Sequence, residues 1–338
     1  MSVHGLVADE EARDILVTDL FTAFGQVLAG EDISLAPVPV AWRQWAQLSS
    51  ELAAHPAVLD SRRYWLTGPG RATRRPITGD AMRTTSTALQ RISTALTTTQ
   101  TIELDDARRR LTFPVDRFLL TALGRALAQT FGDGIIDVDL AGRGRRVLRP
   151  DLDPRRTLGS FTALYPVALG CTALSGEPTA AQIEAVHRVL AAVPHHGVGH
   201  GVLRHLHAPT ARALEATPAP DIALVVGSPI PDLPTADDQP VSIDPTMAEA
   251  LRASAPGFGH ALEIRAQRSG GILHVDWWYD PARIGADVVS RLADASIASL
   301  ADLAREAIVE DEADSADGEL ELIDLTADVD LGESGALH

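Results

Sequence analysis

Residues 156–167 read Arg-Thr-Leu-Gly-Ser-Phe-Thr-Ala-Leu-Tyr-Pro-Val, and this stretch carries the strongest indication of the fold in a chain of 338 residues. Its second half begins a predicted apolar strand, Thr162–Leu169, which contains the β-branched and aromatic side chains that suit a pleated surface. No Gly-x-Ser-x-Gly turn surrounds Ser160, so the stretch does not indicate a serine hydrolase.

Helices and strands are interspersed on both sides of this stretch. The predicted helices are 11–28, Trp42–Ala53, Phe113–Phe131, Thr179–Val193, one that starts at Val202–Leu206, and Asp287–Ile308. The other predicted strands are Ser93–Leu104, Ile135–Leu140, Asp221–Val226 and a hairpin of Ala261–Gln267 with Gly271–Tyr279. Because the elements do not follow strict βαβ alternation, the pattern predicts an α+β fold with a mixed sheet sandwich.

Charge and composition exclude several classes of function. The net charge is −17, and eleven acidic residues fall within 310–333, so removing them from −17 leaves −6 for the rest. A nucleic-acid-binding protein needs a basic face, which neither part provides. No apolar run reaches the roughly 18 residues of a membrane span, and no signal peptide is visible, so we expect a cytoplasmic protein with no membrane partner. Cys171 is the only cysteine, which excludes an intrachain disulfide.

Four further segments occur in a recognisable order around residues 156–167. They are Trp42-Arg-Gln-Trp-Ala46, Tyr64-Trp-Leu66, Val193-Pro-His-His-Gly-Val-Gly-His-Gly-Val-Leu-Arg204 and Asp276-Trp-Trp-Tyr279. Together with residues 156–167, they resemble the condensation superfamily of non-ribosomal peptide synthetases, nearest to its epimerisation and recruitment-domain branch. The resemblance extends from about residue 3 to residue 308.

This resemblance implies a chloramphenicol-acetyltransferase-like fold of two subdomains with a carrier-protein tunnel between them. It assigns residues 1–85 to a remnant of the N-terminal subdomain and its linker, and residues 86–309 to the C-terminal subdomain. Residues 310–338 are acidic and lack aromatic side chains, so we expect a disordered tail there.

The family's His-His-x-x-x-Asp-Gly motif corresponds to His4-Gly-Leu-Val-Ala-Asp-Glu10. Gly5 stands in place of the second histidine, which is the acid/base residue of the family, and glycine cannot transfer a proton. The candidate catalytic residues that remain are His4, Asp9 and Asp139. Asp139 corresponds to the carboxylate of epimerisation domains. For Asp9, a helix cap or a salt bridge is the main alternative role.

The family also implies partners rather than a bound cofactor. Phosphopantetheine would be carried by a peptidyl carrier protein, and Arg143 and Arg145 are candidates to contact it or the carrier surface. A solvated charged loop is the alternative. The partner could also be a synthetase module, a tailoring oxygenase or a complementary N-terminal half. Whether the chain is an enzyme is left open. It is either a catalytically degenerate binding module or part of a split enzyme, and a gene fragment is a third interpretation.

Five histidines fall within residues 195–207, at positions 195, 196, 200, 205 and 207. The spacing of His196 and His200 would suit metal ligands on a helix, but Gly197, Gly199 and Gly201 argue against a regular helix there. We therefore expect no metal site and interpret the segment as a glycine loop that leads into a helix. It also lacks the preceding strand that a dinucleotide-binding fingerprint requires.

Overall fold

The computed structural model of the chain describes residues 5, 7–68, 77, 89–145, 152–172, 176–229, 249–250 and 252–324. The helices are α1 (Glu10–Leu28), α2 (Trp42–Leu52), α3 (Pro56–Asp60), α4 (Arg62–Thr67), α5 (Thr98–Leu111), α6 (Val115–Phe131), α7 (Thr179–Ala191), α8 (Val198–His205), α9 (Ala208–Glu215) and α10 (Ala286–Asp324). The strands are β1 (Gln90–Ala95), β2 (Gly134–Arg143), β3 (Thr162–Cys171), β4 (Ile222–Val226), β5 (Leu262–Ser269) and β6 (Ile272–Tyr279).

The strands form one sheet in the order β1-β6-β5-β4-β2-β3. The pairs β2–β4 and β4–β5 are parallel, and the other three pairs are antiparallel. Helices and a mixed sheet are therefore combined as the sequence predicted, and the α+β class is confirmed.

One face of the sheet is apolar. Leu140, Leu224, Ile264 and Trp277 lie side by side on β2, β4, β5 and β6, and all four are buried. Helices α5 and α6 pack against α10, which also contacts β1 and β6. Each buried leucine or isoleucine contributes about 1.5–3 kcal/mol to folding, so this layer is the main source of stability.

The opposite face of the sheet includes two acidic side chains in the next row. Asp139, Ala223, Glu263 and Trp278 are in register across the same four strands. Successive side chains on a strand point to opposite faces of the sheet. Because Leu140 of β2 faces the apolar side, Asp139 faces the other side. Asp139 and Glu263 are both buried. This row positions the candidate site.

The aromatic rings of α2 and α4 pack against the residue before β3 and against α8. The Phe161 ring lies 4.9 Å from that of Trp42 and 5.1 Å from that of Trp45. Trp65 is buried, and its ring lies 5.0 Å from that of His200. The expected boundary between residues 85 and 86 lies outside the described residues.

The predicted strand Ser93–Leu104 is wrong in its second half, because α5 begins at Thr98. The Thr97 hydroxyl accepts a hydrogen bond from the Gln100 backbone N–H, and the Gln100 side chain accepts one from the Thr97 N–H. This capping box starts a helix, and it outweighs the β preference of the threonines.

Helices α8 and α10 also differ from the sequence predictions, and α3, α4 and α9 were not predicted. Residues 198–205 are helical despite Gly199 and Gly201, because Val202 and Leu203 bury their side chains and α8 packs against β3, α9 and α3. Helix α10 continues past Ile308 to Asp324, so the backbone of residues 310–324 is helical rather than disordered. Alanine, glutamate and leucine are good helix formers, which favours this extension. Residues 325–338 lie outside the described part.

None of the helices in the described residues combines the length and the hydropathy that crossing a bilayer requires.

Candidate functional site

The position of the family's second histidine contributes no side chain. Gly5 lies in an exposed turn, and a Cβ placed on it would have no heavy atom within 4 Å. His4, the candidate beside it, lies outside the described residues. Proton transfer at this position would therefore need a group from elsewhere in the molecule.

Asp9 has a structural role at the start of α1. Its Oδ1 accepts a hydrogen bond of 2.8 Å from the Ala12 backbone N–H, which caps the helix. Its Oδ2 accepts from Arg145 Nη1 at 2.5 Å and from the Phe161 N–H at 2.9 Å. Both oxygens are thus engaged in holding α1 against the segment before β3.

Arg145 is buried and paired inside the fold. It is 6% exposed, its guanidinium lies 4.3 Å from the centre of the Phe161 ring, and Nη2 donates to the Thr157 carbonyl at 3.0 Å. The charge of Arg145 is neutralised inside the fold by Asp9, and a contact of Arg145 with phosphopantetheine stays a prediction. Arg143 is the last residue of β2, and its side chain lies outside the described part.

Glu10 stands where the family has glycine, and it bonds to the end of β4. Its Oε2 accepts a hydrogen bond of 2.7 Å from the Ser228 N–H. Gln267 Nε2 donates to the Ser228 carbonyl at 3.1 Å from the neighbouring strand β5. The acidic residue thus connects the N-terminal helix to the sheet.

Asp139 pairs with a histidine that no sequence pattern had indicated. His260 Nε2 lies 2.8 Å from Asp139 Oδ2, and the two residues are 121 positions apart in the chain. Both are buried, so water competes little for this hydrogen bond. An imidazole therefore lies next to the candidate carboxylate, although it does not come from the histidine motif.

Glu263 holds the turn that carries His260. Its carboxylate accepts hydrogen bonds from the backbone N–H groups of Gly257 at 2.7 Å, Gly259 at 2.6 Å and His260 at 3.2 Å. Gly257 and Gly259 have φ values of 79° and 83°, which favour glycine. Glu263 is 0% exposed, so this turn is fixed from inside the protein.

Ala223 leaves room for the imidazole between two acidic side chains. It lies between Asp139 and Glu263 in the same row, and neighbouring strands are about 4.8 Å apart. Apart from glycine, alanine has the smallest side chain that β4 could place at this position. His260 Nδ1 consequently lies 4.0 Å from Glu263 Oε1 while Nε2 bonds Asp139.

A cavity of about 60 Å³ adjoins Asp139. Its wall includes Asp137 from the same strand, Tyr64 and Trp65 from α4, and residues of β3, α8 and α9. A water molecule needs at least about 10–15 Å³ of such volume, so the cavity has space for a few water-sized groups.

The clustered histidines separate in the structure. His195 Nε2 lies 3.1 Å from the Ala57 carbonyl oxygen, His200 Nδ1 lies 3.1 Å from that of Leu164, and His207 Nδ1 lies 2.7 Å from Thr210 Oγ1. Burial lowers the pKa of His200, which disfavours its charged form. Over the described ranges, no three His, Cys, Asp or Glu residues are grouped so that they could hold a metal ion.

Comparisons with known proteins agree with this fold. The family model "Condensation domain" matches residues 1–305. The chain is 45% identical over 327 residues to a phenolphthiocerol/phthiocerol polyketide synthase polypeptide of Mycobacterium tuberculosis, and the match covers 95% of this chain and 22% of that protein. The chain thus spans about a fifth of the length of this curated relative.

Two solved structures share the architecture. The epimerization domain from the third module of tyrocidine synthetase B superposes with a TM-score of 0.74 and 24% identity, over 91% of this chain and 68% of that one. The X-domain in its complex with OxyB from teicoplanin biosynthesis has a TM-score of 0.58 and 18% identity, over 90% of this chain and 66% of that one.

Proposed function

This chain belongs to the condensation domain family, and from that membership we propose that it is a carrier-protein-binding domain of an assembly-line synthase that has lost the family's histidine chemistry. Its place would be in the biosynthesis of a peptide or polyketide secondary metabolite. The phosphopantetheine arm would be supplied by the carrier protein.

The observation that carries this proposal is Gly5. The position that supplies the acid/base imidazole in the family has no side chain here, while Asp9 and Arg145 of the same region form a nearly buried pair. A domain that binds a partner rather than catalyses a reaction is expected to keep the family's fold without its proton-transferring side chain.

Two related proteins support a binding role. The M. tuberculosis relative belongs to a polyketide synthase, and an X-domain of similar fold forms a complex with OxyB. A carrier protein, or a tailoring enzyme such as an oxygenase, is therefore the partner class we propose.

The Asp139–His260 pair favours a second candidate. A buried carboxylate hydrogen-bonded to an imidazole is the arrangement of a general acid/base group. In this alternative, the chain is part of a condensation or epimerisation enzyme completed by a second polypeptide, with Asp139 as the acid/base residue.

Binding and turnover measurements on the purified chain distinguish the candidates. Calorimetric titration with a phosphopantetheine-bearing peptidyl carrier protein should show binding, and chiral analysis of an aminoacyl-loaded carrier should show no epimerised or condensed product. Turnover at the ordinary rates of the family would contradict the binding-domain proposal. Turnover that appears only when a polypeptide with the first subdomain is added, and disappears in Asp139→Asn, would establish the second candidate.

A further inference from the structure

The C-terminal half of α1 and residues 33–42 together expose an apolar surface, here called the α1 face. Eight of the thirteen large apolar side chains that are exposed in the described residues belong to it. Four follow within residues 33–42, and the other four lie on one side of α1: Leu20, Phe24, Val27 and Leu28. Single exposed apolar side chains are common, whereas such a concentration marks an interaction surface.

The segment after α1 is held along the helix by polar contacts, so the α1 face is ordered. Gln26, near the end of α1, exchanges two hydrogen bonds with the Ser34 backbone. Arg156 Nη2 donates to the Asp19 carboxylate, about two turns earlier in the helix, and to the Ala36 carbonyl. The segment therefore runs back along α1 towards the N-terminal end of the helix.

The same direction continues to the start of α2. Trp42 covers Gly159, because a Cβ on Gly159 would overlap the Trp42 ring. The Gly159 carbonyl accepts a hydrogen bond of 3.1 Å from the Asp9 N–H, just before α1 begins. Trp42 therefore lies near the N-terminal end of α1, and the α1 face extends along much of the helix.

The two ends of the α1 face carry opposite charges. Glu31 and Asp32 are exposed just beyond the C-terminal end of α1. Arg43 is exposed at the other end, directly after Trp42. A two-fold axis across the face brings Arg43 of one copy towards Glu31 and Asp32 of a second copy, and the reverse. The α1 face is therefore complementary to itself in charge.

The size of the α1 face suits a pair of chains. Its eight apolar residues are about half exposed on average and present roughly 700 Å² of surface. The largest apolar patch on a typical monomer is only about 300–600 Å². A stable interface buries roughly 800 Å² on each partner, and the α1 face reaches this area with the polar groups at its ends.

We propose that two copies of this chain pair through the α1 face, with their α1 helices antiparallel. The pairing buries the apolar side chains in the middle and places Arg43 against Glu31 and Asp32 at both ends. Because a two-fold interface uses the same surface on both copies, the assembly closes as a dimer. The pairing is independent of carrier-protein binding.

Sedimentation equilibrium of the purified chain tests the pairing. We expect a monomer–dimer equilibrium with a Kd on the order of micromolar or tighter, as for other interfaces of this size. A chain that stays monomeric at about a hundred times this concentration, or that forms aggregates of undefined size, would overturn the proposal. A monomer that instead binds a separately expressed first subdomain through the α1 face would also overturn it.

Leu20→Glu tests the apolar part of the α1 face. It places a charge in the middle of the interface in both copies and should raise the dimer Kd about a hundredfold or more. Val309→Glu is the matched control, because Val309 is exposed on α10 outside the face, and it should pair like the parent chain. Equal Kd values for these two variants, each shown to be folded by circular dichroism, would contradict the proposal.

Reversal of charge tests the antiparallel arrangement. Arg43→Glu should raise the dimer Kd about tenfold, because it sets like charges opposite each other at both ends. Adding Glu31→Arg and Asp32→Arg to the same chain restores opposite charges across the two-fold axis and should recover most of the affinity. A triple variant that pairs no better than Arg43→Glu would overturn the arrangement. This series decides the question if Leu20→Glu does not fold.

Discussion

His260 bonds to Asp139 at 2.8 Å from a turn that Glu263 holds by three backbone hydrogen bonds. The imidazole missing at Gly5 is thus present elsewhere in the fold, beside a different carboxylate.

Removal of His260 should destabilise the chain through the carboxylate that it leaves behind. His260→Ala is expected to lower the free energy of unfolding by about 1–3 kcal/mol, because both oxygens of a buried Asp139 then lack donors. The Asp139→Asn/His260→Ala double variant should cost less than the sum of the single changes, since the two residues are coupled. Urea unfolding measures all three. His205→Ala, at an exposed position, is the control and should stay within about 0.5 kcal/mol.

Arg145 should be among the most sensitive positions of the fold. Arg145→Ala leaves Asp9 with an unpaired charge in a nearly buried site, and we expect a loss of about 3–5 kcal/mol in unfolding free energy. The exposed pair of Arg155 and Asp153 provides the comparison, and Arg155→Ala should cost less than about 1 kcal/mol. Thermal and urea denaturation of the two variants would show the difference. Equal losses would contradict the structural role assigned to Arg145.

The stability of the chain should fall on mild acidification. Burial lowers the pKa of His200 below its ordinary value of 6.5, so the unfolded chain takes up a proton that the folded chain resists. The stabilising contribution is therefore complete above about pH 6.5 and is lost as the pH falls towards the lower folded pKa. Burial lowers the pKa of His274 in the same direction.

The His200 contribution can be isolated by substitution. His200→Asn retains a side-chain N–H near the Leu164 carbonyl and removes the titrating group. Urea midpoints between pH 5 and pH 8 should vary less in this variant than in the parent chain. An unchanged pH profile would contradict the assignment to His200.

Two glycines, Gly197 just before α8 and Gly201 inside it, should respond to substitution in opposite directions. A Cβ at Gly197 would overlap the ring of Tyr165, and its φ of 85° is unfavourable for other residues. Gly197→Ala is therefore expected to destabilise by more than about 1 kcal/mol. A Cβ at Gly201, inside α8, meets no heavy atom within 4 Å, so Gly201→Ala should stabilise by up to about 1 kcal/mol through helix propensity. Melting temperatures would separate the two variants.

The sequence predicted the elements whose side chains follow a simple period. Strand β3 and the β5–β6 hairpin were located to within a few residues, because their apolar residues alternate with residues that face the other side of the sheet. Helix α5 was not predicted, although Thr97 and Gln100 have capping-box spacing. The first turn of α8, residues 198–201, was missed because tertiary packing overrides the low helix propensity of its glycines.

The candidate site was predicted only in part. Asp139 was identified by its resemblance to an epimerisation-domain carboxylate, but His260 lies in a glycine turn without periodicity, 121 residues away in sequence. No local pattern connects the two residues, and only the order of the strands brings them together. Gly257 and Gly259, which precede a predicted strand, were the available indication of a tight turn.

The pairing of β1 with β6 has a consequence for biosynthesis. Ser93 on β1 and Asp276 on β6 are 183 residues apart, and among the described strands β1 lies at the edge of the sheet and pairs with β6 alone. At ribosomal rates of about 5–20 residues per second, β1 waits on the order of ten seconds or more for its partner. During this interval its backbone donors and acceptors are open to other chains. Nascent-chain chaperones should therefore affect the yield of this protein more than its final stability.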